Sequence, residues 1–287
     1  MCRYQLIKSD KTMNEVDRRS ALKTTGSAIA GIVIGAAAGW GLKPVPSSPP
    51  KAKFAEDPPE GEEVTIVHGF DAAYPPFTEI DPMGKAVGFD VDVVNWIAEK
   101  YGWKVLPKPW DWATIVTALV EGDLDIVMSG MTHTAERAEK VWFTIPYYPN
   151  YHQLMALITE TRTMDELLNS GDYVSCQRGA ITDKWAEKLL SAGNNFKKLA
   201  LDSYALAFKA VKEGGAVAAI SDSTFTRVYL EETPGIFKEV GTIGGMETYA
   251  VSTRADDYWF RNEVNYALEE VMTSPRWDEL KVKWSLI

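Results

Sequence analysis

Residues 118–130, Ala-Leu-Val-Glu-Gly-Asp-Leu-Asp-Ile-Val-Met-Ser-Gly, decide the fold once they are set beside residues 210–222, Ala-Val-Lys-Glu-Gly-Gly-Ala-Val-Ala-Ala-Ile-Ser-Asp. The offset is 92 residues throughout: a helix end, Glu-Gly, an apolar run, then Ser and a polar loop. Glycine stops a helix because it takes the left-handed conformation at little cost. The apolar run behind it has the length of a buried strand. Helix, glycine and strand are ordinary α/β grammar, so one copy says little, but two in register point to two similar half-domains. In open parallel sheets ligands collect beyond the carboxyl ends of the strands. Ser129 and Ser221 mark those ends, so a shared site is expected in the loops that follow them.

The sequence around both copies keeps the same rhythm. Residues 64–68 read as a buried strand. Val93, Val94, Ile97 and Tyr101 form a helical stripe, with Asp90 or Asp92 as candidate N-cap. Trp112, Ile115, Val116, Leu119 and Val120 form another behind Asp111, a second candidate cap, and residues 125–128 are a strand. Strand-helix-strand order implies a mostly parallel sheet with helices on its faces. Residues 153–158 are one long hydrophobic strand. Phe260, Val264, Ala267, Leu268, Val271 and Met272 make an amphipathic helix stopped by Pro275, and a short helix with Trp277, Leu280 and Trp284 follows.

Composition narrows the function. The chain has 287 residues, 46% apolar and 24% charged, which supports a globular protein with a real core. Net charge is −10, and beyond residue 43 there are 23 basic residues against 37 acidic, a net −14. Such a surface repels phosphate backbones and argues against nucleic-acid binding. Cys2 and Cys176 are the two cysteines, so a mature chain without the N-terminal segment has no internal disulfide. His68, His133 and His152 show no metal-ligand spacing, and a CxxC or an HExxH helix is missing. Neither a metal nor a cofactor is implied.

The N-terminus reads as an address. Arg18-Arg19, Leu22 and Lys23 precede an uncharged apolar stretch, residues 28–39, that ends in Ala-Ala-Ala-Gly. The pattern resembles a twin-arginine signal peptide, with Ala21 where a bulky apolar residue is usual. A plain membrane anchor is the competing reading, but about a dozen apolar residues fall short of the ~20 that span a bilayer. Residues 1–43 are therefore a signal peptide or an uncleaved anchor, with Met13 an alternative start. Residues 44–61, holding six prolines, are expected to be an extended, unpacked linker. An exported chain at the periplasm or cell surface, tethered or free, follows.

Four motifs in order then carry a resemblance: Asp71-Ala-Ala-Tyr-Pro-Pro-Phe77, Gly88-Phe-Asp-Val-Asp92, Met128-Ser-Gly-Met-Thr132 with Thr134-Ala-Glu-Arg137, and Pro146-Tyr147. Together they resemble the polar amino-acid-binding family of ABC-transporter receptors, over roughly residues 64 to 284. The resemblance implies a two-lobed periplasmic-binding-protein-like (type II) fold, with two α/β lobes joined by two crossover strands and the ligand between them. Lobe 1 is expected at 62–150 plus 248–287 and lobe 2 at 151–247. It implies an amino-acid ligand, permease subunits of an ABC importer as partners, and a monomer.

Carried over residue by residue, Arg137 is the α-carboxylate clamp, because guanidinium meets carboxylate through two parallel charge-assisted bonds. Its competing reading is a surface arginine in a charged helix. Gly130, through its backbone, and Thr132 would touch the carboxylate and ammonium, though Thr132 also suits a turn or cap. Asp222 would accept the α-ammonium, against an alternative role as N-cap of the next helix. In the second lobe Arg178-Gly-Ala-Ile-Thr182 replaces the family's hydroxyl pair with Ala180 and Ile181, so the contact left there is the main chain of Ile181 at a helix start. Gln177 points to the side-chain pocket, or is a polar edge residue. Asp71, Tyr74 and Trp112 would surround the ligand side chain, although aromatics this large also pack cores. A carboxylate with aromatic faces suits a cationic or amide side chain. Arg178 would reverse that logic if it turned inward.

Two rivals remain. An enzyme on the same fold, cyclohexadienyl dehydratase-like, would need an acid/base pair, for which Glu79, Asp71 and His133 are the candidates. A membrane receptor's sensor domain would need a signalling module, and the sequence ends at Ile287 directly after the fold. Binding without catalysis is the reading preferred.

Overall fold

The structure is a computed structural model that describes residues 52–287. The expected signal segment, 1–43, and residues 44–51 of the Pro-rich stretch lie outside the described residues.

Strand β1 (Thr65–Phe70) leads into a small meander, β2 (Ala73–Tyr74), β3 (Thr78–Ile80) and β4 (Ala86–Val87), then helix α1 (Phe89–Tyr101) and β5 (Lys104–Pro109). A 3-10 turn at Trp112–Thr114 and α2 (Ile115–Val120) precede β6 (Ile126–Val127), the four-residue α3 (Ala135–Ala138) and a long β7 (Trp142–Leu157). The second half continues with α4 (Met164–Leu168), β8 (Tyr173–Gln177), α5 (Ile181–Ser191), β9 (Lys197–Leu201), α6 (Tyr204–Lys212), β10 (Ala218–Asp222) and α7 (Ser223–Glu232). A long β11 (Phe237–Thr253), α8 (Tyr258–Thr273) and α9 (Pro275–Lys283) complete it.

The main sheet runs β5-β1-β6-β11-β7-β10-β8-β9. Its flanks, β5-β1-β6 and β10-β8-β9, are parallel. The centre is not: β11 runs antiparallel to β6 and β7, and β7 antiparallel to β10. Ser252 and Thr253 of β11 pair with Val127 and Ile126, while His152 to Met155 of β7 pair with Asp222 to Ala219. The two long strands therefore belong to both flanks, and the fold is two α/β lobes joined by two crossover strands. In both copies of the repeat the chain leaves its helix through a left-handed glycine, Gly122 (φ 83°) and Gly214 (φ 79°), and enters the strand.

β7 begins at Trp142, well before residue 153. Pro146 and Pro149 hide the extension, because proline donates nothing to a ladder and reads as a breaker. The ladder accommodates them by register shifts in β11 between Ile243 and Glu247 and between Tyr249 and Ala250, beside those prolines.

Neither Asp90 nor Asp92 caps α1. Gly88 holds that position at φ 133°, and a Cβ there would lie 2.1 Å from the Phe77 carbonyl oxygen, so only glycine fits. Asp90 instead turns inward and is fully buried. Asp111 makes no side-chain cap either. In the α8 stripe Phe260, Val264, Ala267, Leu268 and Val271 are buried, while Met272 is only partly so.

The described end of the linker is not unpacked. Phe54 is 8% exposed and packs on Phe260 and Trp259, with ring centroids 5.1 and 6.4 Å away. Its N–H donates to Asp257 (2.9 Å) and Lys53 pairs with Asp125 (2.6 Å). Arg254 links Asp125 and Asp257 at 2.9 and 2.6 Å. A proline-rich composition masks a single aromatic anchor.

Candidate functional site

Asp71, Tyr74, Trp112, Gly130, Thr132 and Arg137 from one lobe line a single cavity, with Gln177, Ile181 and Asp222 from the other. Ser129, Ala180 and Tyr204 complete the wall. The space left in this cavity is about 10 Å³, on the order of one water. A solute larger than water enters this cavity only if its walls move.

The carboxyl ends of β1 and β6 build the first wall. Ser129 Oγ accepts the Asp71 N–H (3.0 Å) and meets Thr78 Oγ1 (2.8 Å), which locks the two loops together. Asp71 Oδ1 accepts from the Ala73 N–H (2.9 Å), and burial pushes its carboxyl up from the ordinary range. Gly130 has φ 58°, and a Cβ on it would lie 2.3 Å from Tyr74 Cε1, so glycine is what lets the Tyr74 ring lie over the loop. Its N–H donates to Asp90 Oδ2 (2.7 Å), with the Tyr147 hydroxyl also at 3.2 Å. That amide is thus engaged within the lobe.

Arg137 lies on α3, whose cap is Thr134, not Thr132: Thr134 Oγ1 accepts the Arg137 N–H (3.2 Å). The guanidinium folds back, donating to the Thr132 carbonyl (2.9 Å) and across the cleft to the Gly179 carbonyl (3.3 Å). Its carbon stands 5.5 Å from the Trp112 ring centroid. Arg137 is half-buried and bridges two lobes, unlike a solvated surface arginine.

In the second wall, Gln177 ends β8 and donates to Asp71 Oδ2 across the cleft (2.6 Å). Arg178 turns outward to the Ala200 carbonyl (2.6 Å) and Asp202 (3.3 Å), away from the cavity. Ala180 precedes α5 without a side-chain cap, so the cavity meets the start of that helix and its backbone amides. The Thr182 hydroxyl pairs with Tyr204 (3.1 Å).

Asp222 stands at the start of α7 but makes no capping bond. Its Oδ2 accepts from the hydroxyls of Tyr74 (2.8 Å) and Tyr249 (3.2 Å), and its Oδ1 faces His152 Nδ1 (2.8 Å). Burial pushes this carboxyl up, yet the bonds from His152 and Tyr74 outweigh it and hold the group below the usual range. Burial likewise pulls the His152 ring down, but Asp222 and Glu247 hold it up at about 9.

Tyr204, His152 and Tyr249 were not singled out from sequence. Tyr204 follows the Ser203 cap of α6, and His152 and Tyr249 lie on crossover strands whose side-chain direction depends on the register shifts. The acid/base candidates do not assemble: His133 packs on Phe143 at 4.8 Å, Glu79 lies on β3, and only Asp71 lines the cavity. Among the described residues no cluster of three His, Cys, Asp or Glu could hold a metal ion.

A cavity closed between two lobes, with a guanidinium on one wall and a carboxylate on the other, defines a solute-binding protein. Residues 66–286 match the bacterial extracellular solute-binding proteins, family 3, and the chain belongs to that family. It is 30% identical over 217 residues to a probable histidine-binding protein of Neisseria gonorrhoeae, covering 75% of this chain and 80% of that one. Among solved structures, an ancestral arginine-binding protein bound to arginine is 32% identical, with a TM-score of 0.70 over 77% of this chain and 97% of that one. An ancestral amino acid-binding protein, a precursor of cyclohexadienyl dehydratase, is 30% identical, with a TM-score of 0.70 over 77% and 95%.

Proposed function

We propose that this protein captures a polar or basic L-amino acid outside the cytoplasmic membrane and delivers it to the permease subunits of an ABC importer. The observation that carries this is the convergence of all nine residues selected from sequence on one interlobe cavity. In this reading Arg137 clamps the α-carboxylate, assisted by the first turn of α5 at Ile181, and Asp222 with Thr132 takes the α-ammonium. Asp71, Tyr74, Trp112 and Gln177 receive the side chain. Arg178 points away, so Asp71 stays the charged group at that end, which favours arginine, lysine, histidine or glutamine over aspartate and glutamate. Lobe 1 is residues 62–150 plus 248–287 and lobe 2 residues 151–247, a division supported by β7 taking up β10 from His152 and β11 taking up β6 at Ser252, near those limits. The chain acts as an exported monomer, held near the membrane or released from it according to the fate of residues 1–43. Among the described residues no helix is long and apolar enough to cross a membrane.

A thermal-shift panel of the twenty amino acids tests the reading, because a ligand that binds the folded state raises stability by RT ln(1 + [L]/Kd). Stabilisation by basic or amide amino acids is expected. Stabilisation by aspartate or glutamate alone would overturn the charge assignment. A response to none of the twenty would return attention to the enzyme alternative.

A further inference from the structure

His152 stands on β7 where that strand passes between the lobes, in register with Asp222 on β10 and Ile243 on β11. Its ring is fully buried. Nδ1 lies 2.8 Å from Asp222 Oδ1, and Nε2 lies 3.2 Å from Glu247 Oε2. An ionised carboxylate only accepts hydrogen bonds, so both ring nitrogens are satisfied only when both carry protons. The arrangement calls for an imidazolium between two carboxylates.

The surroundings make this cation consequential. From α5 the Trp185 ring faces His152 with centroids 6.3 Å apart, and it carries no charge. From the first lobe and from β11, the hydroxyls of Tyr74 and Tyr249 occupy the far oxygen of Asp222. Arg137 is the cation among the residues lining the cavity, and it donates to backbone carbonyls rather than to Asp222. Without an imidazolium at Oδ1, Asp222 would be a buried carboxyl among tyrosines, and desolvation would drive it toward the neutral acid. A neutral acid is a poor acceptor for an ammonium group.

We propose that His152 is a positioning residue of the ammonium subsite: it holds Asp222 as an oriented carboxylate and anchors it through Glu247 to the second crossover strand. This rests on the amino-acid-binding reading above. Asp222 Oδ2, which already meets Tyr74 of the cavity wall, is then the oxygen presented to the ligand. With the ring held up at about 9, the arrangement persists through neutral pH in the wild type.

The test is calorimetry on the full chain with L-arginine, L-histidine and L-glutamine, for the wild type and His152→Gln. Wild-type affinity for L-arginine and L-glutamine, whose side chains do not titrate there, should hardly change between about pH 6 and about pH 8, where His152 stays charged. His152→Gln should bind about ten-fold more weakly at about pH 8 and weaker still at about pH 6, because the unsupported Asp222 takes up a proton as pH falls. NMR titration of the His152 ring, in the wild type and in the partly exposed Glu247→Gln variant, needs neither ligand nor the central substitution. The ring should be an imidazolium at neutral pH and titrate lower in Glu247→Gln. A neutral ring at about pH 7 in the wild type overturns the proposal. So does a His152→Gln variant whose affinity is unchanged, or is reduced by the same factor at both pH values. If the wild type binds none of the three amino acids, the binding reading falls and takes the ammonium role with it. Wild-type binding with an unaffected variant removes only the positioning role.

Discussion

Replacing Arg137 by alanine removes the group on which the binding reading leans most. A hydrogen bond to a charged partner contributes about 1.5–3 kcal/mol, so two parallel bonds to a carboxylate amount to roughly 3–5 kcal/mol. That is a loss of about 10²–10⁴-fold in Kd. Arg137→Ala also has a cost in the unliganded protein. Its guanidinium donates to the Thr132 and Gly179 carbonyls and stands over Trp112, contacts that together stabilise by roughly 1–2 kcal/mol. A folded unit of this size then melts about 2–8 °C lower, while unfolding stays cooperative. The assay pairs calorimetric Kd values with a thermal melt of the same preparation, so that lost affinity is not mistaken for lost structure. Arg137→Ala with a Kd within about threefold of wild type would refute the clamp, since that corresponds to well under 1 kcal/mol.

Two further substitutions probe other parts of the argument. Asp71→Asn keeps the size but removes the charge and one of the two acceptor oxygens that take up Ala73 and Gln177, so arginine should lose about ten-fold or more in affinity while glutamine loses less; calorimetry with both ligands checks the ratio. Phe54→Ala empties the pocket formed with Trp259 and Phe260 and should destabilise by about 2–4 kcal/mol in urea unfolding, whereas a truly unpacked linker would give no change.

Much of the fold was legible because its signals are local. The glycine stops at Gly122 and Gly214, the apolar stripe of α8 and the strands behind each repeat need only neighbouring residues to be read. The lining of the cavity was legible through ordered motifs, which carry a resemblance that no single residue carries. What escaped was set by partners distant in sequence. Asp90 looks like a cap until the Phe77 carbonyl, which leaves room only for Gly88, fixes where α1 begins. Phe54 looks like linker until Phe260 comes back to cover it. His152 looks like one polar residue in a strand until the pairing of β7 with β10 and β11 brings Asp222 and Glu247 to its two nitrogens. Tertiary pairing decides these positions, and periodicity does not report it.

Two buried groups under the Gly130 loop should give the protein opposing pH dependences. His68 Nε2–H donates to the Met128 carbonyl (2.9 Å), and its Nδ1 has no partner. Burial therefore pulls its ring down from 6.5 to about 4. Asp90 accepts from the Gly130 N–H and the Tyr147 hydroxyl, yet burial still pushes it up to about 7. For His68 the unfolded chain binds the proton first, so its contribution is complete above about 6.5 and is lost as pH falls toward about 4. For Asp90 the folded chain binds the proton first, so its contribution is complete below about 4 and is lost as pH rises through about 7. Each contribution is on the order of 3–5 kcal/mol at its limit, from about 1.4 kcal/mol per pH unit of displacement. The two slopes nearly cancel in the wild type and become visible only one at a time. Urea unfolding across this range, taken as wild type minus variant, should fall with rising pH for Asp90→Asn and rise with pH for His68→Gln. Difference curves that share one sign, or that are both flat, would show that these two groups do not carry the titration assigned to them, and that the Gly130 loop is not held by a carboxyl poised near neutrality.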